Sequence, residues 1–142
     1  MDDEECVFCA TDGGARVYDD VLCRVVVTDE PFSGFCRVVI NRHVREMTDL
    51  PMHEREQLMR VVWALESALR EMLQPDKMNV ASLGNAVPHV HWHVIPRFFE
   101  DSHFPPPVWG RRQRDRSPTA LPAGFHEQLA QRLARALPPM AS

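Results

Sequence analysis

Asn85-Ala86-Val87-Pro88-His89-Val90-His91-Trp92-His93-Val94-Ile95-Pro96 holds three of the chain's seven histidines within five residues. Each is separated from the next by one apolar residue. Alternation with β-branched and aromatic fillers is the pattern of a β-strand, where side chains repeat with a period of two. The spacing predicts a strand from about Val87 to Ile95. It puts His89, His91 and His93 on one face and Val90, Trp92 and Val94 on the other, toward a core. Three partly desolvated imidazoles on one face need partners, usually a metal, a phosphate or each other.

Working outward, Asn79 to Leu83 reads as a short strand, turned at Gly84-Asn85. Before it, Leu58, Val61, Val62, Leu65, Leu69, Met72 and Leu73 recur at three and four, the period of a long amphipathic helix. Pro51 suits its first turn, Glu54 and Glu56 suit the positive end of its dipole, and Gln74-Pro75-Asp76 stops it. Leu22 to Val27 and Phe35 to Ile40 are strand candidates rich in β-branched residues, with Arg16 to Tyr18 a weaker one. Cys23 and Cys36 fall inside these apolar runs and read as core thiols. Residues 100–122 are proline- and arginine-rich and irregular. Phe125, Leu129, Leu133 and Leu137 then recur every fourth residue, a short helix over 123–137. Strands, one long helix and a second group of strands, joined by short connections, imply an α+β fold with an antiparallel sheet of about five strands.

At 142 residues, 44% hydrophobic and 25% charged, the chain is the size of one domain, expected to span 1–142 after a flexible acidic start over 1–5. A formal charge of −4 argues against a nucleic-acid binder but leaves room for a small anion at a local positive site. The acidic start carries no secretory pattern, and no apolar run approaches the ~18 residues of a membrane span. The cytoplasm is therefore the expected compartment, with no membrane partner. Cys6-Val7-Phe8-Cys9 is, by spacing, half of a zinc site or a redox pair.

Imidazoles spaced by two allow several chemistries. They can bind a transition metal. One can attack phosphorus and form a phosphohistidine-type intermediate, with its neighbours fixing its tautomer and donating to phosphate oxygens. A strand of hydrogen-bonded histidines without special role is the bland alternative.

His89-Val90-His91-Trp92-His93-Val94-Ile95 resembles the motif of the histidine triad (HIT) superfamily of nucleotide hydrolases and transferases. The resemblance also covers the preceding helix, the Gly84-Asn85 turn, Pro96-Arg97, the early Cys-x-x-Cys and His43 after the middle strand. It runs from about Cys6 to Trp109 and is nearest the branch of Hint and the diadenosine polyphosphate hydrolases.

That resemblance implies a set of roles. His91 would be the nucleophile on the α-phosphorus of a nucleoside phosphoramidate or dinucleoside polyphosphate, forming a nucleotidyl-histidine that water resolves. The main-chain carbonyl of His89 would hold its Nδ1–H, His93 would donate to phosphate, and Asn85 would contact the phosphate or leaving group. Cys6, Cys9, His43 and His89 would hold a structural zinc; no metal is required for the chemical step. Phe8, Val27 and Phe32 would wall the base pocket, Asp29 would meet the ribose, and Trp109, with His103 and Phe104, would close over the site. A homodimer is the expected assembly. Three residues depart from the pattern: Asn85 replaces a common glutamine, Ala86 a hydroxyl residue, and Phe35 a histidine. The departures keep alternatives open: a nucleotide- or zinc-binding protein with little catalysis, or a nucleotidyl transferase using the same histidine. Arg111, Arg112, Arg114 and Arg116 read either as a polyphosphate contact or as a solvated run.

Overall fold

In a computed structural model, which describes residues 3–139, five strands form one antiparallel sheet in the order β1-β2-β3-β5-β4. Met1 and Asp2 of the acidic start lie outside the described residues. The strands are β1 (Ala15–Asp19), β2 (Cys23–Val27), β3 (Cys36–Ile40), β4 (Lys77–Ala81) and β5 (His91–Arg97). Three helices accompany them: α1 (Val7–Ala10), α2 (Met52–Leu73) and α3 (Phe125–Ala136). This is the α+β arrangement that the sequence implies. Among the described residues no helix is long and apolar enough to cross a membrane.

The sheet's two faces do different work. Val25, Val38, Val90 and Val94 pack with Leu58, Val61, Val62, Leu65 and Leu69 of α2 and with Phe125, Leu129 and Leu133 of α3. Fully burying each such α2 side chain stabilises the fold by about 1.5–3 kcal/mol. Met72 and Leu73 are only partly buried, at the margin of this core. Gln74 ends the helix in the left-handed conformation (φ 49°), its N–H bonded to the carbonyl of Arg70. Cys23 and Cys36 are fully buried, and burial pushes both thiols up, so they stay protonated.

On the other face two small clusters flank an open centre. Cys6, Phe8, Val26 and Val39 form one, under the N-terminal segment. Phe32, Phe35, Ile95 and Val108 form the other, under the proline-rich loop. The register pairs Arg37 with His93 and Val39 with His91, which places His91 and His93 between the two clusters.

One expectation needs correction. The triad strand begins at His91, not near Val87. The chain bends through Pro88-His89-Val90, where Val90 donates its N–H to Val44 and accepts from Ile40. His89 is therefore not a strand residue equivalent to His91 and His93.

Candidate active site

Two segments far apart in sequence are tied down beside the triad by buried arginines. Arg24, the second residue of β2, donates from Nη2 to the carbonyls of Phe8 (2.6 Å) and Thr11 (3.0 Å). Its Nε reaches the carbonyl of Asp12 and its Nη1 the Asn41 side chain, each at 3.0 Å. The N-terminal segment is thereby docked on the sheet. Gly13 completes the fit: its φ is +88°, and a Cβ there would stand 2.7 Å from the Phe8 ring. At the other end Arg97, fully buried, pairs with Asp101 (2.8 Å) and donates to Asn79 and to the carbonyl of Pro106. Burial alone would raise the Asp101 carboxyl. Arg97 and the N–H groups of His103, Phe104 and Phe98 outweigh it and hold the group at about 2. That clamp fixes the loop that carries Trp109.

Cys6, Cys9, His43 and His89 come together, with one ligand atom from each inside 4.8 Å of all the others. Cys6 Sγ and His43 Nδ1 each lie 3.3 Å from His89 Nδ1, and Cys9 Sγ lies 3.3 Å from His43 Nδ1 and 3.6 Å from His89 Nδ1. A tetrahedral zinc with ordinary bonds to nitrogen and sulfur has ligand–ligand edges of roughly 3.3–3.8 Å. The donor set and its spacing therefore fit that ion. The tautomer fits as well. His89 Nε2 lies 2.6 Å from the carbonyl of Ile40, so it carries the proton and leaves the Nδ1 lone pair facing the cluster.

His91 and His93 face a cavity of about 430 Å³, lined also by Phe8, Gly13, Arg37, Asn85, Ala86, Val87 and Trp109. His91 donates Nδ1–H to the carbonyl of His89 at 2.6 Å. Ser82 Oγ in turn donates to the His91 carbonyl (2.6 Å). Among the described residues, Nε2 of His91 and of His93 has no hydrogen-bond partner. No fully buried side-chain nitrogen among the described residues is left unpartnered, so both open into the cavity. The Phe8 ring lies 4.7 Å from His91, and the Trp109 ring 4.8 Å from His93. Burial pushes both imidazoles down toward the neutral form, aided by Arg37; for His93 the neighbouring His91 adds to this and the value falls to about 3.

Other expected residues sit elsewhere. Val27 packs in the helix-side core and, with Asp29, lines a second cavity that meets the triad cavity at Gly13. Phe32 lies beyond Phe35, against His103. His103 bonds Ser102, and Phe104 meets Phe99 edge-on with the Arg97 guanidinium over its ring. Of the three residues expected to close over the site, Trp109 alone lines the triad cavity. Arg112 pairs with Asp115, Arg114 with loop carbonyls and Arg116 with Glu100, and none of the four arginines lines the cavity. Three residues that matter gave no clear signal in sequence: Arg24, Arg37 and Ser82. A charge inside a strand reads as a solvent-facing position unless its distant partner is known.

The chain is similar to known proteins over most of its length. The model of the HIT domain matches residues 13–100. The protein called Protein hit from Bacillus subtilis (strain 168) is 27% identical over 142 residues, covering 92% of this chain and 96% of the relative. A histidine triad protein from Bradyrhizobium japonicum superposes with TM-score 0.69 at 32% identity, over 88% of this chain and 91% of the other. A Zn-bound histidine triad family protein from Mycobacterium smegmatis superposes with TM-score 0.64 at 28% identity, over 94% and 96%. The chain belongs to the HIT domain family, the histidine triad proteins.

Proposed function

We propose that this protein hydrolyses a nucleotide at its α-phosphorus through a covalent intermediate on His91, within the nucleotide-binding and hydrolase-type function that HIT membership supports. The observation that carries the reading is the 2.6 Å bond from His91 Nδ1 to the His89 carbonyl, with Nε2 open to the cavity. The Nε2 lone pair attacks phosphorus. The bond to the leaving group breaks, and its electron pair departs with that group. The Nδ1 proton stays on the imidazole, where the His89 carbonyl stabilises the growing positive charge. His93 and Asn85 donate to the non-bridging oxygens. Water then attacks the same phosphorus, the P–N pair returns to His91, the water proton leaves to solvent, and a nucleoside monophosphate is released.

The substrate lies with its phosphate over His91 and His93, and its nucleoside extends past Gly13 toward Val27 and Asp29. Trp109 covers the phosphate end. Zinc on Cys6, Cys9, His43 and His89 is a structural ion in this reading: four protein ligands close its shell, and no step passes through it. Met52 and Trp63 are exposed on α2, and β4 leaves one edge of the sheet unpaired. A second copy of the chain suits both surfaces.

Release of AMP from diadenosine tetraphosphate or adenosine 5′-phosphoramidate, followed in the wild type and in His91→Ala, tests the function. Turnover in the wild type and its near-complete loss in the variant is the expected result. Tight binding without product favours a second reading, nucleotide binding with little catalysis, to which the methyl of Ala86 on the cavity wall gives some weight.

A further inference from the structure

Arg37 has no place in the expected machinery, yet it stands in the middle of it. It pairs in register with His93, so the two side chains share a sheet face. Arg37 Nε donates to His93 Nδ1 at 3.3 Å, and the guanidinium carbon lies 5.1 Å from the centre of the Phe35 ring. Its side chain is 17% exposed and lines the triad cavity. Among the described residues the one carboxylate it meets is the partly exposed Glu30, at 3.5 Å. A poorly neutralised cation on the wall of this cavity of about 430 Å³ has a role to find.

We infer that Arg37 is a positioning and specificity residue: it fixes His93 as the neutral Nε2–H tautomer and selects substrates whose leaving group departs as a phosphate oxyanion. The favoured class is a nucleoside polyphosphate or dinucleoside polyphosphate, not a phosphoramidate. This rests on the hydrolase reading above.

A donor aimed at Nδ1 requires a lone pair there, so the His93 proton sits on Nε2. From there it can bond a non-bridging phosphate oxygen. It cannot be handed over, because the ring would be left as an imidazolate. Nor can Nδ1 take a second proton while Arg37 N–H faces it. The other polar groups of the cavity are no better acids. The Asn85 amide, the Trp109 indole and the Arg37 guanidinium offer N–H groups for hydrogen bonding, not an acidic proton for transfer. His91 Nδ1–H is directed away, at the His89 carbonyl. Ala86 has no hydroxyl.

Consequently no described group lining this cavity protonates a departing atom. When His91 Nε2 forms its bond to phosphorus and a P–O bond breaks, the electron pair leaves on a phosphate oxygen. That anion is stable without a proton and is attracted to Arg37. When a P–N bond must break instead, the amine would have to leave as an amide anion unless protonated first. The site is built for the former.

Kinetics and ¹⁵N NMR of the full chain, labelled at histidine, test this together. In the wild type, kcat/KM for diadenosine tetraphosphate should exceed that for adenosine 5′-phosphoramidate by at least about tenfold. Arg37→Met should lower the polyphosphate value about 10–100-fold and erase the preference. Arg37→Lys should recover KM for the polyphosphate but not kcat, because it restores charge without the fixed Nε–H that meets Nδ1. The ¹⁵N shifts should show His93 protonated at Nε2 in the wild type and as a tautomer mixture in both variants. A purely structural role for Arg37 would not move that signature. The inference is overturned if the tautomer survives in Arg37→Met, or if the wild type prefers the phosphoramidate. Should the wild type turn over neither compound, the hydrolase reading and the substrate class fall together. The NMR result, which needs no turnover, then decides the positioning role alone.

Discussion

His91 donates its Nδ1–H to the main-chain carbonyl of His89 at 2.6 Å, while the side chain of His89 stands among Cys6, Cys9 and His43. One residue thus serves two groups. Its imidazole belongs to the cysteine–histidine cluster, and its carbonyl sets the tautomer of the candidate nucleophile. The bend at Pro88–Val90 makes this possible by taking His89 off the strand that carries His91 and His93. Carbonyl and imidazole belong to one residue, so loosening the cluster is expected to shift that carbonyl.

The cluster should therefore influence turnover without touching substrate. Elemental analysis of protein purified without chelator is expected to find one zinc per chain in the wild type and well under one in Cys9→Ala. The variant, and the wild type after chelation, should unfold at lower temperature and lose about tenfold in kcat/KM. A variant that retains full activity without zinc would separate the cluster from the nucleophile.

Arg24 holds the segment that brings Cys6, Phe8 and Cys9 to the site. Arg24→Met leaves the carbonyls of Phe8, Thr11 and Asp12 without their buried donor, and should cost about 2–4 kcal/mol in urea unfolding. It should also weaken zinc retention. Arg16→Ala, which removes exposed ion pairs to Asp12 and Asp19, is the control and should leave the midpoint unchanged.

Asp101 makes a pH-dependent contribution whose sign follows from its carboxyl. The group is held at about 2 when folded, below its ordinary value of 3.8. Its stabilisation is complete above pH ~4 and is lost as pH falls through that range toward 2. Asp101→Asn should lower stability by about 3 kcal/mol at pH 7, because Arg97 is left buried without its partner. It should also flatten the acid limb of the stability profile between pH 4 and 2. Urea titrations at several pH values check both.

Much of this arrangement was legible in the sequence because local patterns and tertiary structure agree there. The helix period from Leu58 to Leu69 needed no distant information, nor did the β-branched runs of β2 and β3 or the alternation from His91 to Ile95. The Cys6/Cys9/His43/His89 set followed from resemblance, and these four residues do converge. What stayed hidden depends on contacts between distant segments. Alternation alone extends the strand back to Val87, since Pro88 and the hydrogen bonds of Val90 to Val44 and Ile40 are invisible to a period-two pattern. Arg24 and Arg37 each interrupt an apolar run, and only the docked N-terminus and the β3–β5 register explain them. The nucleoside side was least readable: Val27 and Asp29 line an adjoining cavity, and Phe32 packs behind Phe35.

The central claim is that His91 becomes covalently linked to the nucleotide. Rapid acid-free quenching of wild-type protein with diadenosine tetraphosphate, then mass spectrometry of the digested chain, reads this directly. The expected result is an adenylyl group on the peptide containing His91, formed and lost at rates compatible with turnover and absent from His91→Ala. AMP release with undiminished kcat in His91→Ala, or an adduct on any other residue, would contradict it.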